Sequence, residues 1–160
     1  ATGFDAMTGA LTSLDIVGRN GVILKDQWKE GAKSYLGLGV TNFPNLFTIT
    51  GPGSPSVLSN MMPSIEQHVN WIADCIGWMS ENNKSVIEST DAAEEEWMGL
   101  VNEIADMTIF TSTKSWYNGS NIEDKANAFL PFIGVPVYTE KLEEITSNNY
   151  QGFIFDISNK

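Results

Sequence analysis

Three residue types that often carry chemistry are almost missing from this sequence, which has one cysteine, one histidine and one arginine. The single cysteine, Cys75, excludes an internal disulfide framework and a cysteine-based zinc cluster, and it is consistent with a reducing compartment. Any Ser-His-Asp or Cys-His arrangement would have to include His68, and no GxSxG motif supports one. A reaction that develops negative charge could draw a cation only from Arg19, a lysine or another chain.

Positive charge and long hydrophobic runs are also scarce. The chain has 9 Lys and Arg residues against 20 Asp and Glu residues, a formal net charge of -11, which argues against nucleic acid or an anionic membrane as the main partner. No segment is long enough for a membrane span, and the first residues lack a basic-then-apolar signal pattern. We therefore expect a soluble, cytoplasmic protein. Its 160 residues, 42% of them hydrophobic, are enough for one domain with a core.

The stretch from Phe43 to Met62 organises our interpretation of the chain. Residues Leu46 to Thr50 have the β-branched and aromatic content of a short buried strand. The Gly-Pro-Gly-Ser-Pro sequence at positions 51–55 fits neither strand nor helix, so it predicts a rigid loop. In α/β folds, ligands often bind where such a loop enters a helix, because the first backbone N–H groups of a helix are unpaired. Without a GxGxxG or GxxxxGK[ST] spacing, however, most such loops are plain connectors.

Apolar residues at helical spacing predict three helices. The first runs from about Asn60 to Glu81, stops at Asn82, and carries Ile65, Val69, Ile72, Ile76 and Met79. His68 and Cys75 fall within this helix, which favours packing over reactivity for both. The second starts with an N-cap at Asp91 and has an apolar face of Trp97, Leu100, Val101 and Ile104. The third is marked by Tyr138, Leu142 and Ile145.

The acidic run from Glu94 to Glu96 has two interpretations. It could be a metal site, but consecutive helix positions point in different directions and no histidine lies nearby. We instead expect these carboxylates to interact favourably with the positive end of the second helix.

Extended and irregular segments connect the helices. We expect a small hairpin at about residues 16–25, a short link at Val86–Glu88, an irregular or edge strand at Phe129–Tyr138 and a last strand at Phe153–Phe155. The glycines between Tyr35 and Val40 suggest close approach of backbones.

The regular pattern stops over residues 108–128. The adjacent aromatic residues Trp116 and Tyr117 lie there among turn-forming residues, which is typical of a lid or binding loop, although Trp116 could also cap a core. We predict a mobile loop here. Without internal repeats or low-complexity linkers, residues 1–160 are expected to form one unit. The opening residues Ala1 to Asp5 are of the kind that follow a strand, so we expect the C-terminal piece of a longer protein.

Five motifs in the same order closely resemble the C-terminal third of bacterial flavin-dependent Baeyer–Villiger monooxygenases, such as the cyclohexanone, phenylacetone and steroid monooxygenases. They are ATGFDA at 1–6, FPNLF at 43–47, GPGSPSVLSNM at 51–61, SIEQHV at 64–69 and SWYNGSN at 115–121. The resemblance implies an α/β fold class, in which this chain is the second segment of the FAD-binding domain of a protein with two dinucleotide-binding domains. The opening Ala-Thr-Gly would end a strand that joins the NADP domain back to the FAD domain.

The resemblance also implies a reaction. In this family FAD is reduced by NADPH and reacts with dioxygen, and one oxygen atom is inserted next to the carbonyl of a ketone to give an ester or lactone. The implied cofactors are FAD and NADPH. The implied partners are a small ketone, dioxygen and the remaining N-terminal part of the enzyme.

Residue roles follow from the resemblance by position. Ser59, Asn60 and Met61 would lie against the flavin, and Trp116 would sit on a loop that closes over the nicotinamide cofactor. The ketone pocket would include Ser56, Val57 and Leu58. No catalytic residue and no metal ligand is implied in this segment, because the two GxGxxG motifs, the family fingerprint and the arginine at the reaction centre belong to the part that is absent here.

The sequence departs from the family pattern at two places, and two other functions remain open. Ile122 to Lys125 replace the usual Pro-Gly-Lys, and Val135-Pro136 stand where a second glycine is common. The alternatives are a related flavin monooxygenase acting on nitrogen or sulfur, and a standalone acidic interaction module without catalysis. The 160-residue chain alone is expected to be inactive.

Overall fold

The computed structural model describes residue 5 and residues 8–55, 60–109, 119, 122 and 134–157. Within these ranges the chain forms helices and a small sheet. In chain order the elements are α1 (Gly9–Thr12), a 3-10 helix (Arg19–Gly21), α2 (Leu24–Gln27), α3 (Met61–Glu81), β1 (Lys84–Ser89), α4 (Asp91–Asp106), α5 (Val135–Ser147) and β2 (Phe153–Ile157).

Helix α3 has the bounds that the sequence predicts. Asn60 has extended backbone angles and caps the helix, with its side-chain oxygen accepting a hydrogen bond from the Met62 N–H at 3.1 Å. The helix ends at the predicted position, where Asn82 forms the C-cap and Asn83 has a φ of 53°. Its buried face is formed by Ser64, His68, Trp71, Cys75 and Met79, which recur at helical spacing. Of the apolar residues that predicted the helix, only Met79 is on this face, and Val69 and Ile76 are exposed.

Cys75 is a fully buried free thiol on this face. Burial raises the pKa of the thiol to about 12, since a low-dielectric environment disfavours the charged thiolate. The prediction that Cys75 serves packing rather than reactivity is confirmed.

Helix α4 begins one residue earlier than the sequence suggested, because its N-cap is Thr90 and not Asp91. Thr90 follows β1 with extended backbone angles, and its hydroxyl accepts a hydrogen bond from the Ala93 N–H at 3.2 Å. The predicted apolar face is also partly wrong. Leu100 is 39% exposed, and Glu94 and Ala105 join Trp97 and Val101 on the buried side.

Helix α5 buries Tyr138, Leu142 and Ile145, the three residues that predicted it. Pro136 lies in its first turn, where a missing N–H leaves no helical hydrogen bond unmade. The predicted irregular or edge strand at Phe129–Tyr138 is therefore wrong from residue 135 onward, and residues 129–133 lie outside the described ranges.

Strands β1 and β2 form a two-stranded antiparallel sheet in which Ser89 pairs with Phe153 and Lys84 with Ile157. The link predicted at Val86–Glu88 and the strand predicted at Phe153–Phe155 are thus partners. Of the hairpin predicted at about residues 16–25, the structure has a single antiparallel bridge between Val17 and Ile23, and α2 begins at Leu24.

The strand expected at Leu46–Thr50 is limited to one antiparallel bridge, between Phe47 and Gly39. Asn45 and Thr50, on either side of the bridge, have φ angles of 61° and 53°, which a regular strand does not allow. Positive φ at these two positions bends the chain away from a longer pairing.

Two apolar clusters hold these elements together. The larger one joins α3, β1, α4, α5 and β2, and it includes Leu36, Trp71, Trp97, Tyr138 and Phe153. The smaller one joins α2 to the segment before Phe43 through Leu24, Trp28, Ala32 and Val40. No helix in the described part of the chain combines the length and apolar character needed to cross a bilayer.

Candidate functional site at the start of helix α3

The loop at residues 51–55 is buried along its whole length, and its carbonyl groups are bonded to side chains. The Ser54 hydroxyl donates to the Gly51 carbonyl at 2.7 Å, and the Ser34 hydroxyl donates to the Pro52 carbonyl at 2.6 Å. The indole N–H of Trp97 donates to the Gly53 carbonyl at 3.2 Å. Because these three acceptors are hydrogen-bonded inside the protein, burying them costs much less than burying unpaired carbonyl groups.

Glycine is required at Gly53 for two reasons. Its φ of 77° lies in the left-handed region, and an added Cβ would lie 3.1 Å from both the Met98 sulfur and the Trp97 indole nitrogen. Gly37, with a φ of 73°, packs directly against Ser54. The close backbone approach predicted from the glycines between Tyr35 and Val40 is confirmed.

His68 fixes the residue that precedes this loop. Its Nδ1 atom accepts a hydrogen bond from the Thr50 N–H at 2.9 Å, and its Nε2 atom lies 2.8 Å from the Tyr138 hydroxyl oxygen. Since Nδ1 accepts, a neutral ring carries its proton on Nε2, which donates to Tyr138. The Tyr138 hydroxyl then donates to the Leu36 carbonyl at 2.6 Å. Burial lowers the His68 pKa to about 4, so the ring is neutral at pH 7.

The first turn of α3 is partly exposed in the part of the chain that the structure describes. Asn60 and Met62 are exposed, and Met61 is partly buried. The turn contains no acidic side chain, although the protein as a whole carries a net charge of -11. The partial positive charge at the start of this 21-residue helix is therefore not neutralised by a carboxylate of its own first turn. The start of the helix can therefore interact favourably with an anionic group.

The predicted site residues divide into two groups. Asn60 and Met61 lie at the N-terminus of α3, at its N-cap and first helical position. The other predicted residues, Ser56, Val57, Leu58, Ser59 and Trp116, lie outside the described residues, as does most of the loop predicted over residues 108–128. The flavin, ketone and NADPH contacts expected of all these residues, including Asn60 and Met61, stay predictions.

Two buried carboxylates near the loop were not predicted from the sequence. Glu94 accepts a hydrogen bond from the Thr41 N–H at 2.9 Å, and Glu88 accepts one from the Asn42 N–H at 3.0 Å. Glu88 also forms an ion pair with Arg19. Burial raises the pKa of Glu94, and the hydrogen bonds from Thr41 oppose this shift. The two carboxylates thus bind the N–H groups of Thr41 and Asn42, which are consecutive residues of one turn.

Glu95 and Glu96, which follow Glu94, are exposed. Only Glu94 of this acidic run therefore points inward. In the part of the chain that the structure describes, no group of three or more His, Cys, Asp or Glu residues is arranged to hold a metal ion.

The chain is homologous over nearly its whole length to a segment of the flavin-dependent Baeyer–Villiger monooxygenases, which confirms the resemblance seen in the sequence. It is 43% identical over 154 residues to cyclohexanone 1,2-monooxygenase from Acinetobacter sp.. It is 42% identical over 157 residues to a Baeyer–Villiger monooxygenase from Pseudooceanicola batsensis, and 41% identical over 155 residues to phenazine N-monooxygenase from Lysobacter antibioticus. These matches cover 96–98% of this chain but only 28% of each relative. No protein-family model matches the sequence.

Solved structures give the same relationship. Cyclohexanone monooxygenase from Rhodococcus sp. Phi1 bound to NADP+ superposes with a TM-score of 0.93 at 38% identity, over 99% of this chain and 30% of that chain. The enzyme OTEMO in complex with FAD and NADP superposes with a TM-score of 0.88 at 34% identity, over 98% of this chain and 29% of that one. The predicted fold class is α/β, as a C-terminal segment of a flavoprotein with two dinucleotide-binding domains. It is confirmed in that the chain is mixed helix and strand and superposes on a segment of flavoprotein Baeyer–Villiger monooxygenases.

Proposed function

We propose that this chain is the second segment of the FAD-binding domain of an NADPH- and FAD-dependent monooxygenase. The complete enzyme would insert one oxygen atom of dioxygen next to a ketone carbonyl and release an ester or lactone. Identities of 42–43% with monooxygenases of this kind support the proposal. The segment is part of the enzyme and depends on the rest of it, since the chain spans 28% of the length of those relatives.

The observation that carries this proposal is the exposed start of α3, whose first turn contains no acidic side chain, together with the buried loop at residues 51–55. FAD, when bound, would accept electrons from NADPH and supply the chemistry with dioxygen. The backbone N–H groups of the first turn would stabilise negative charge on the reduced ring, and Asn60 and Met61 would lie against it. The buried loop at residues 51–55 would help to exclude water from that side of the site.

Other site residues enter the proposal through the resemblance alone. Ser59 would lie beside the flavin, Ser56, Val57 and Leu58 would line the ketone pocket, and Trp116 would contact the nicotinamide cofactor. We propose no catalytic residue in this chain. The sequence contains no GxGxxG motif, so the pyrophosphate groups of FAD and NADPH would bind elsewhere in the enzyme.

The experiment that tests this function uses the complete enzyme, expressed from the full reading frame. It should purify with FAD, consume NADPH faster when a cyclic ketone is added, and incorporate one atom of ¹⁸O₂ into the lactone detected by mass spectrometry. NADPH consumption that no ketone accelerates, with no labelled ester or lactone, would contradict the proposal.

A second candidate is oxygenation of nitrogen by the same cofactors. It is supported by the 41% identity with a phenazine N-monooxygenase, which is close to the identity with the ketone enzymes. An aromatic N-heterocycle offered beside the ketone distinguishes the two, because only a nitrogen-oxidising enzyme would form the labelled N-oxide.

We also propose a cytoplasmic location. The support is Cys75, which is a buried cysteine without a disulfide partner in the described chain and fits a reducing compartment, and the need of the proposed reaction for NADPH. Fractionation of the source cells followed by immunoblotting would test it.

A further inference from the structure

Thr50 lies at the point where the chain enters the buried loop of residues 51–55, and its backbone is held in an unfavourable conformation. Its φ is 53°, a region that β-branched residues rarely adopt. Such a conformation persists only where the surrounding structure fixes it. Here the Thr50 N–H is held by a hydrogen bond to Nδ1 of His68.

His68 is in turn fixed by Tyr138. Both side chains are fully buried, at 0% exposure, and they lie on different helices, α3 and α5. The Tyr138 hydroxyl also holds the carbonyl of Leu36, a second residue with a left-handed backbone at a φ of 62°. Leu36 precedes Gly37, which packs against Ser54 in the loop. The His68 and Tyr138 side chains therefore hold the loop both through Thr50, which precedes it, and through Leu36, whose neighbour Gly37 packs against it.

We propose that His68 and Tyr138 are positioning residues, which hold Thr50 and Leu36 in left-handed conformations and thereby set the position of the loop relative to the start of α3. The proposal rests on the proposed function, because that loop leads to the residues expected to contact flavin and ketone. Neither side chain is a catalytic residue. Both act through the backbone that they hold.

A neighbouring contact between the same two helices provides a matched control. The indole N–H of Trp71 on α3 donates to the Thr146 hydroxyl on α5 at 2.9 Å. Thr146 itself donates to the Leu142 carbonyl at 2.8 Å, within α5, and no hydrogen bond in the described chain links it to Leu36, Thr50 or the loop. Thr146→Val thus loosens α3 against α5 without touching the backbone that His68 and Tyr138 hold.

The test compares Tyr138→Phe with Thr146→Val in the complete enzyme. Losing the hydroxyl removes its bonds to His68 and to the Leu36 carbonyl. Amide hydrogen exchange in the peptide covering residues 47–55 should therefore rise by about fivefold or more, since even one buried hydrogen bond is worth about that factor in an opening equilibrium. The exchange is measured on flavin-free and on flavin-loaded protein. On the loaded enzyme, the KM for the ketone and the hydrogen peroxide released per NADPH should both rise. Thr146→Val should change none of these three quantities.

Exchange that rises equally in both variants, or in neither, would overturn the proposal. If Tyr138→Phe fails to fold, His68→Gln is measured in the same way. If Tyr138→Phe and His68→Gln both fail to fold while Thr146→Val folds, His68 and Tyr138 are required for folding and the positioning role is wrong. Amide exchange can be measured without turnover, so the two proposals can fail separately. An enzyme that oxidises no ketone would refute the proposed function, and the exchange comparison would still decide the role of His68 and Tyr138.

Discussion

The buried carboxylate of Glu94, in the first turn of α4, accepts a hydrogen bond from the backbone N–H of Thr41, 53 positions earlier in the chain. Removing it with Glu94→Ala would leave that N–H buried without a partner. We expect the free energy of unfolding to fall by about 1–3 kcal/mol, measured by denaturant titration of the complete protein. Glu94→Gln should cost less, because it keeps an acceptor and removes a charge that burial disfavours.

Glu95→Ala is the control for this prediction. Glu95 is its exposed neighbour on the same helix, and its loss should change the stability by no more than about 0.5 kcal/mol. Equal effects at positions 94 and 95 would show that the bond to Thr41 contributes little.

The neutral state of His68 predicts that acid destabilises the fold. Its pKa falls from 6.5 in the unfolded chain to about 4 in the folded protein, so the unfolded state binds the proton more tightly. The associated stability is fully present above pH 6.5 and is lost as the pH falls towards 4, up to about 3 kcal/mol. Protonating Nδ1 would also break the bond to Thr50.

Melting temperatures of the complete protein at pH 7 and pH 5 measure this effect. His68→Gln should reduce the difference between the two pH values, since glutamine does not titrate. A difference that is the same in both proteins would assign the acid sensitivity to other groups.

Met61, in the first turn of α3, should influence substrate choice if the proposed function is correct. Met61 would lie against the flavin and closely follows Leu58 of the proposed ketone pocket in sequence. Met61→Ala is therefore expected to change relative kcat/KM values among ketones by a factor equivalent to about 1–3 kcal/mol. FAD content should stay constant, because the phosphate contacts of the cofactor lie elsewhere. Met62, which is 69% exposed, provides the control, and Met62→Ala should leave ketone preference unchanged.

Gly152 cannot accept a side chain. Its φ is 89°, and an added Cβ would lie 2.5 Å from the Tyr35 hydroxyl oxygen, which itself donates to the Gln151 carbonyl. We expect Gly152→Ala to destabilise the protein by about 2 kcal/mol or more through backbone strain and overpacking. Gly77 on α3 has nothing within 4 Å of an added Cβ, so Gly77→Ala should instead stabilise the protein by about 0.5–1 kcal/mol.

The 160-residue chain alone should bind no flavin tightly. The turn that would bind the pyrophosphate of FAD is not in the sequence, and that contact supplies much of the affinity. Isothermal titration of this chain with FAD is the measurement. A submicromolar dissociation constant would refute the prediction.

Helices were predictable from the sequence wherever one local signal determined them. Asn60 and Asn82 mark the ends of α3, and the spacing of Tyr138, Leu142 and Ile145 reports the buried face of α5. Such signals depend on residues within one or two turns. The start of α4 was misplaced because Thr90 and Asp91 are both good caps, and the path of the chain out of β1 decides between them.

Contacts distant in sequence were not predictable in this way. Nothing near Glu94 distinguishes it from Glu95 and Glu96, since only the placement of Thr41 turns one of them into a buried acceptor. His68 was correctly interpreted as a packed residue, but its bonds to Thr50 and Tyr138 depend on three separate segments meeting. The single bridge at Phe47 likewise depends on positive φ at Asn45 and Thr50, which a β-branched sequence does not reveal.

The pairing of β1 with β2 has a consequence for synthesis on the ribosome. The strand at Lys84–Ser89 is translated well before its partner at Phe153–Ile157, at about 5–20 residues per second. Until that partner and α5 emerge, Trp71 and Ile87 lack the cover that Tyr138, Leu142 and Phe153 give them. The apolar surface of the nascent segment therefore stays exposed for several seconds. During this time a chaperone that binds exposed apolar segments could bind it.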